Sequence, residues 1–87
     1  MLSDKQKNEI LNEIDEQIRR SYSKIYDGIK IFVTMPDNTT WLDIRIIINK
    51  FVMENPDLSY AKYLFATLDE YGKEQTVWDI IYKKENN

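Results

Sequence analysis

The sequence predicts a small α+β domain in the order helix, strand, helix, β-hairpin, with a three-stranded, mainly antiparallel sheet packed by two helices. Three observations predict it. An apolar stripe at helical spacing occupies the first third of the chain. A strictly alternating run follows a glycine. Near the C-terminus, Asp69-Glu70-Tyr71-Gly72-Lys73 separates two runs rich in aromatic and branched residues. Two other architectures use the same residues: a helix followed by a four-stranded meander, or a mostly α chain.

The first helix is expected over residues 3–27. Ser3 and Gln6 form a Ser-x-x-Gln capping box, in which each residue satisfies a backbone donor of the other. Ile10, Leu11, Ile14, Ile18, Tyr22 and Ile25 then recur with helical spacing and make one apolar stripe. On the polar side, Asp15–Arg19 and Glu16–Arg20 are acid-to-base pairs four residues apart, each worth about 0.2–0.5 kcal/mol in an isolated helix. Gly28 reads as the helix stop. The stripe either packs on the rest of the domain or pairs with a partner or a second copy; its heptads are too few for a coiled coil.

Residues 29–35 read as a strand, with Ile29, Ile31, Val33 and Met35 alternating against Lys30, Phe32 and Thr34. Pro36-Asp37-Asn38 is turn chemistry, and the proline removes a ladder donor.

The next stretch, 40–55, is the most apolar in the chain and admits two readings. As a helix, Thr40 and Asp43 form a capping box, and Trp41, Ile44, Ile47, Ile48, Phe51 and Val52 share one face, with Leu42, Ile46 and Met53 opposite. Asn55-Pro56 ends it, because the residue before proline avoids helical geometry. As a strand, the run of isoleucines alternates with Asp43 and Arg45. Length and the two terminal signals favour the helix. Its two opposite apolar stripes then require two covers.

The last element is a hairpin of 60–69 with 73–82. Asp at the first turn position and Gly72 at the fourth suit a type I turn with a glycine bulge. If Asp69 pairs with Lys73 and alternation is strict, one face carries Tyr60, Leu64, Leu68, Trp78, Ile80 and Tyr82. The other carries Ala61, Tyr63, Phe65, Val77 and Ile81. Two helices, started by Ser59 and Thr76 and separated at Gly72, are the competing reading. Residues 1–87 form one domain, with 1–2 and 83–87 expected to fray.

Composition excludes more chemistry than it assigns. The chain has no cysteine and no histidine. Disulfides, thiolate metal sites, Ser-His and Cys-His arrangements and ordinary zinc sites are therefore impossible within it. Neither of the two glycines lies in a phosphate-binding pattern. Asp69, Glu70 and Glu74 lack calcium-loop spacing and read as a charged turn. The chain is expected to be non-enzymatic, with no cofactor, metal or small-molecule substrate. With 12 basic and 15 acidic residues, net charge −3, it has no basic arm that would neutralise phosphates. The first residues lack the apolar run of a signal peptide, and no run is long enough to span a membrane, so a cytoplasmic location is expected. Abundant isoleucine, lysine and asparagine with few glycines and prolines is the composition of a low-GC genome, a setting where small phage and mobile-element proteins are common.

The positive hint is aromatic. Six rings (Tyr60, Tyr63, Phe65, Tyr71, Trp78 and Tyr82) fall within one hairpin. Both of its faces are apolar, and one helical layer covers one face. The expected function is a protein-binding module, an adaptor, regulator or inhibitor that engages a protein partner or its own copy. The candidate surfaces are the hairpin residues Tyr60, Tyr63, Phe65, Trp78 and Tyr82 and the helix residues Leu11, Ile14, Ile18 and Tyr22. The alternative is a binder of single-stranded nucleic acid that stacks bases on the hairpin aromatics, with lysines at the phosphates.

Overall fold

A computed structural model of the chain describes residues 2–21 and 27–84. The elements are α1 (Asp4–Ser21), β1 (Gly28–Thr34), α2 (Trp41–Glu54), β2 (Leu58–Leu68) and β3 (Glu74–Tyr82). The expected order and fold class hold. The sheet order is β1-β3-β2, and β3 runs antiparallel to both neighbours. β1 and β2 are therefore parallel to each other and separated by β3, with α2 as the crossover between them: a split β-α-β arrangement closed by the β2–β3 hairpin.

Local signals set the element ends. Ser3 Oγ accepts the Gln6 N–H at 3.1 Å while Gln6 Oε1 accepts the Ser3 N–H at 2.9 Å. Asp43 Oδ2 accepts the Thr40 N–H at 3.0 Å, which starts α2 and decides the helix against the strand for this stretch. The Asp69 carboxylate accepts the N–H groups of Tyr71 and Lys73 at 2.8 and 2.9 Å, and Gly72 takes φ +79°, a left-handed value that glycine adopts without steric cost.

Three expectations about the ends change. Asp27 is a bend outside any helix, so the first helix does not extend to 27; Tyr22 and Ile25 lie outside the described residues. Gly28 is the first residue of β1 rather than a helix stop. A Cβ there would sit 2.5 Å from the Ile80 carbonyl oxygen, so close strand approach is what requires glycine. Leu2, expected to fray, is buried in the core, and the Lys83 N–H donates to the Asp57 carbonyl at 2.9 Å.

Both helices lie on the same face of the sheet. One contiguous core joins Ile10, Ile14 and Ile18 of α1, Ile44, Ile47, Ile48 and Val52 of α2, and Ile29, Ile31, Val33, Trp78 and Ile80 of the sheet. Trp78 lies at its centre. Its indole N–H donates to Thr76 Oγ1 at 2.8 Å, and that hydroxyl in turn donates to the Val33 carbonyl, so both buried polar groups are satisfied.

Candidate functional site

β3 contributes Thr76, Trp78 and Ile80 to the helix-covered face, so Val77, Asp79 and Ile81 project from the other. The strand registers then define what the uncovered face displays. Phe32, Val77 and Phe65 form one row across all three strands; Lys30, Asp79 and Lys62 form the next; Gly28, Ile81 and Tyr60 form the third. Val77 is fully buried although it is not part of the core cluster. Its neighbours Phe32 and Phe65 are 41% and 49% exposed, and Tyr60 is 54% exposed. The outcome is an aromatic patch bordered by a lysine–aspartate–lysine row.

β2 has two irregularities, and the one at Leu64 brings Tyr60 and Phe65 to one face. The pairing Asp69 N–H to Lys73 carbonyl, 2.8 Å, matches the expected turn. The register then shifts between Tyr63 and Phe65 and again between Leu58 and Tyr60. Each bulge inserts an extra residue and reverses which side chains share a face. Strict alternation puts Tyr63 with Phe65 and Tyr60 with Trp78. In the structure, Tyr63 joins Trp78 on the covered face, and Tyr60 joins Phe65 on the uncovered one.

The expected interface residues therefore separate. Tyr60 and Phe65 meet on the uncovered face. Tyr63 is partly buried between Trp41 and Trp78, with ring centroids 5.2 and 5.1 Å away. Trp78 is 1% exposed and Tyr82 packs against the core, so neither presents a free ring. On α1, Ile14 and Ile18 are buried against the sheet and α2 because both helices share one layer, and Leu11 is partly buried at the margin. Tyr22 lies outside the described residues. Phe32 was not among the expected residues. The available signal was a large apolar residue on the polar phase of the β1 alternation. The outer stripe of α2, Leu42, Ile46 and Met53, is exposed.

Along the outer side of β2, a shallow cleft of about 360 Å³ is lined by Trp41, Arg45, Trp78 and the strand residues Tyr60 to Tyr63. The Arg45 guanidinium lies 5.8 Å from the Trp41 ring centre, in cation–π range. Among the described residues, no cluster of three or more acidic side chains could hold a metal ion, and no helix is long and apolar enough to cross a membrane. No family model, curated protein or solved structure matches the chain.

Proposed function

We propose that the chain is a non-enzymatic protein-binding module whose contact surface includes the uncovered face of its sheet. The observation that carries this reading is the Phe32–Val77–Phe65 row. Two half-exposed phenylalanines flank a buried valine on a face that neither helix covers. Exposed aromatic area with a charged border is the composition of interface centres, where burial of a few rings supplies most of the binding energy. The absence of histidine and cysteine from the sequence supports a binding role over a catalytic one.

The test is capture of a partner from native lysate by the wild-type chain and by a Phe32→Ser/Phe65→Ser variant, with sedimentation to detect self-association. A partner or self-association that the wild type shows and the folded variant loses is expected. Equal capture by both, or a monomer that retains nothing, overturns the reading. A second reading is favoured by Lys30 and Lys62 on the same face as Tyr60, Phe32 and Phe65: stacking of unpaired bases with lysine contacts to phosphate. Asp79 between the two lysines and the acidic net charge weigh against it. Salt-sensitive binding of oligothymidylate, lost in the same variant, is the result that would establish it.

A further inference from the structure

The two edges of the sheet are finished differently. At the β1 edge, the Gln17 side chain of α1 acts as a substitute strand. Its Nε2 donates to the Phe32 carbonyl at 2.6 Å and its Oε1 accepts the Phe32 N–H at 2.8 Å. One turn earlier, Glu13 Oε1 accepts both the N–H and the hydroxyl of Thr34 at 3.0 Å. The outward N–H and C=O of Phe32 and the N–H of Thr34 are thus occupied from within the chain, a defence of this part of the edge against pairing with another strand.

Among the described residues, β2 has no such cover. Because Phe32 turns its backbone groups to Gln17, alternation turns those of Ile31 and Val33 toward β3. Their partners Trp78 and Thr76 face β1, so Val77, Gln75 and Asp79 face β2 and pair with Phe65, Thr67 and Lys62. Ala61, Tyr63 and Ala66 then direct their N–H and C=O groups outward. Among the described residues, none of these groups has a hydrogen-bond partner outside the sheet. Beside them lies the Trp41–Tyr63 cleft. Arg45 lines it from α2 and Lys62 borders it from the uncovered face, where its cross-strand neighbour is Asp79; no acidic side chain lines the cleft, and neither cation is in an ion pair among the described residues.

We propose that β2 accepts an extended, acidic peptide segment of a partner protein as a fourth strand, with its backbone on the outward groups of Ala61, Tyr63 and Ala66 and its carboxylates near Arg45 and Lys62. This rests on the protein-binding reading above but uses the sheet edge rather than the sheet face. The row of open donors and acceptors selects an extended backbone, and the two cations select acidic side chains. The same charges disfavour a second copy in any register centred near Lys62, which would set that lysine against its own equivalent. Nucleic acid is disfavoured because Trp41 and Tyr63 already pack on one another and leave no slot for a base between them.

The probe is a nine-residue peptide of valine and phenylalanine with glutamates at adjacent central positions, so that carboxylates reach both faces of the added strand, titrated against the full chain by tryptophan fluorescence and by amide hydrogen exchange. Two control peptides accompany it: one with lysine in place of glutamate, and one N-methylated along the pairing edge. Binding of the glutamate peptide with slowed exchange at Ala61, Tyr63 and Ala66 is expected. The lysine peptide should bind roughly tenfold more weakly, and the Lys62→Glu variant should narrow or reverse that preference. N-methylation should abolish binding without any change to the protein. Ala66→Pro, which removes one outward donor at an edge position that tolerates proline, should weaken it while leaving the fold intact.

Equal binding of the N-methylated peptide overturns the proposal. So does binding lost in Phe32→Ser/Phe65→Ser but kept in Ala66→Pro, which places the contact on the face. Failure of every peptide, with partner capture still lost in the face variant, overturns the edge proposal and leaves the protein-binding reading standing. Dimerisation through β2, or protection of β2 by oligothymidylate instead of peptide, also overturns it.

Discussion

The two faces of β3 are built from the same strand and stabilised in different ways. On the covered face, Trp78 and Ile80 are enclosed by two helices and both flanking strands, and the buried hydroxyl of Thr76 is tied into a hydrogen-bond chain. On the other face, no helix lies among the described residues, and the buried Val77 is flanked within the sheet by Phe32 and Phe65. Burial by a second layer fixes the fold. Lateral burial excludes water from one residue while leaving the rings that do so half in solvent. A residue count of apolar side chains does not separate these two conditions, and only the second leaves surface for a partner.

The largest expected effect is on the covered face. Trp78→Ala removes the centre of the core and takes away the donor to Thr76 Oγ1, so a loss of about 3–5 kcal/mol is expected in chemical denaturation. For a domain whose whole stability is about 5–15 kcal/mol, that brings much of the population near unfolding. A loss below about 1.5 kcal/mol would mean that the two faces differ less than their burial suggests.

A smaller effect is expected where α1 closes the β1 edge. Gln17→Ala deletes two hydrogen bonds to Phe32 at a site open to water, a net cost of about 1–2 kcal/mol at the usual worth of each bond. The more specific consequence is a second open edge. Concentration-dependent association in sedimentation beyond that of the wild type, and suppressed by Phe32→Pro in the same background, is the expected sign of it. Unchanged sedimentation would show that the Gln17 bonds hold α1 in place without protecting the edge.

The order of elements was legible because each carries its own local chemistry: capping boxes at Ser3 and Thr40, Pro56 after α2, and the Asp69–Gly72 turn. The α1 stripe was legible as apolar, but whether a stripe meets a sheet or a partner depends on which face the other helix takes, and that is a long-range property. The candidate face was misread for a narrower reason. One bulge in β2, at Leu64, exchanges the faces of Tyr60 and Tyr63 relative to Trp78, a second at Ser59 restores the phase for Leu58, and neither Leu64 nor Ser59 carries a residue signature of a bulge. Period-two reasoning fails at the first inserted residue and recovers at the second. Gly28 was misassigned because a helix stop and a close strand contact both ask for glycine.

The smallest effect on stability should accompany the largest effect on binding. Phe65→Ala removes a ring that is half in solvent, and its contact with Val77 is of the cross-strand kind worth about 0.2–1 kcal/mol. Denaturation should therefore register little. Val77 then becomes the reporter of lateral burial. Its methyl groups should gain solvent contact in Phe65→Ala, seen as new paramagnetic broadening from a soluble nitroxide, while those of Ile31 and Ile80 on the other face stay protected. If Val77 remains protected with Phe65 truncated, the rings are not its shield. The uncovered face would then be a tightly packed surface in its own right, and its aromatic row would have no more claim to a partner than the exposed stripe of Leu42, Ile46 and Met53 on α2.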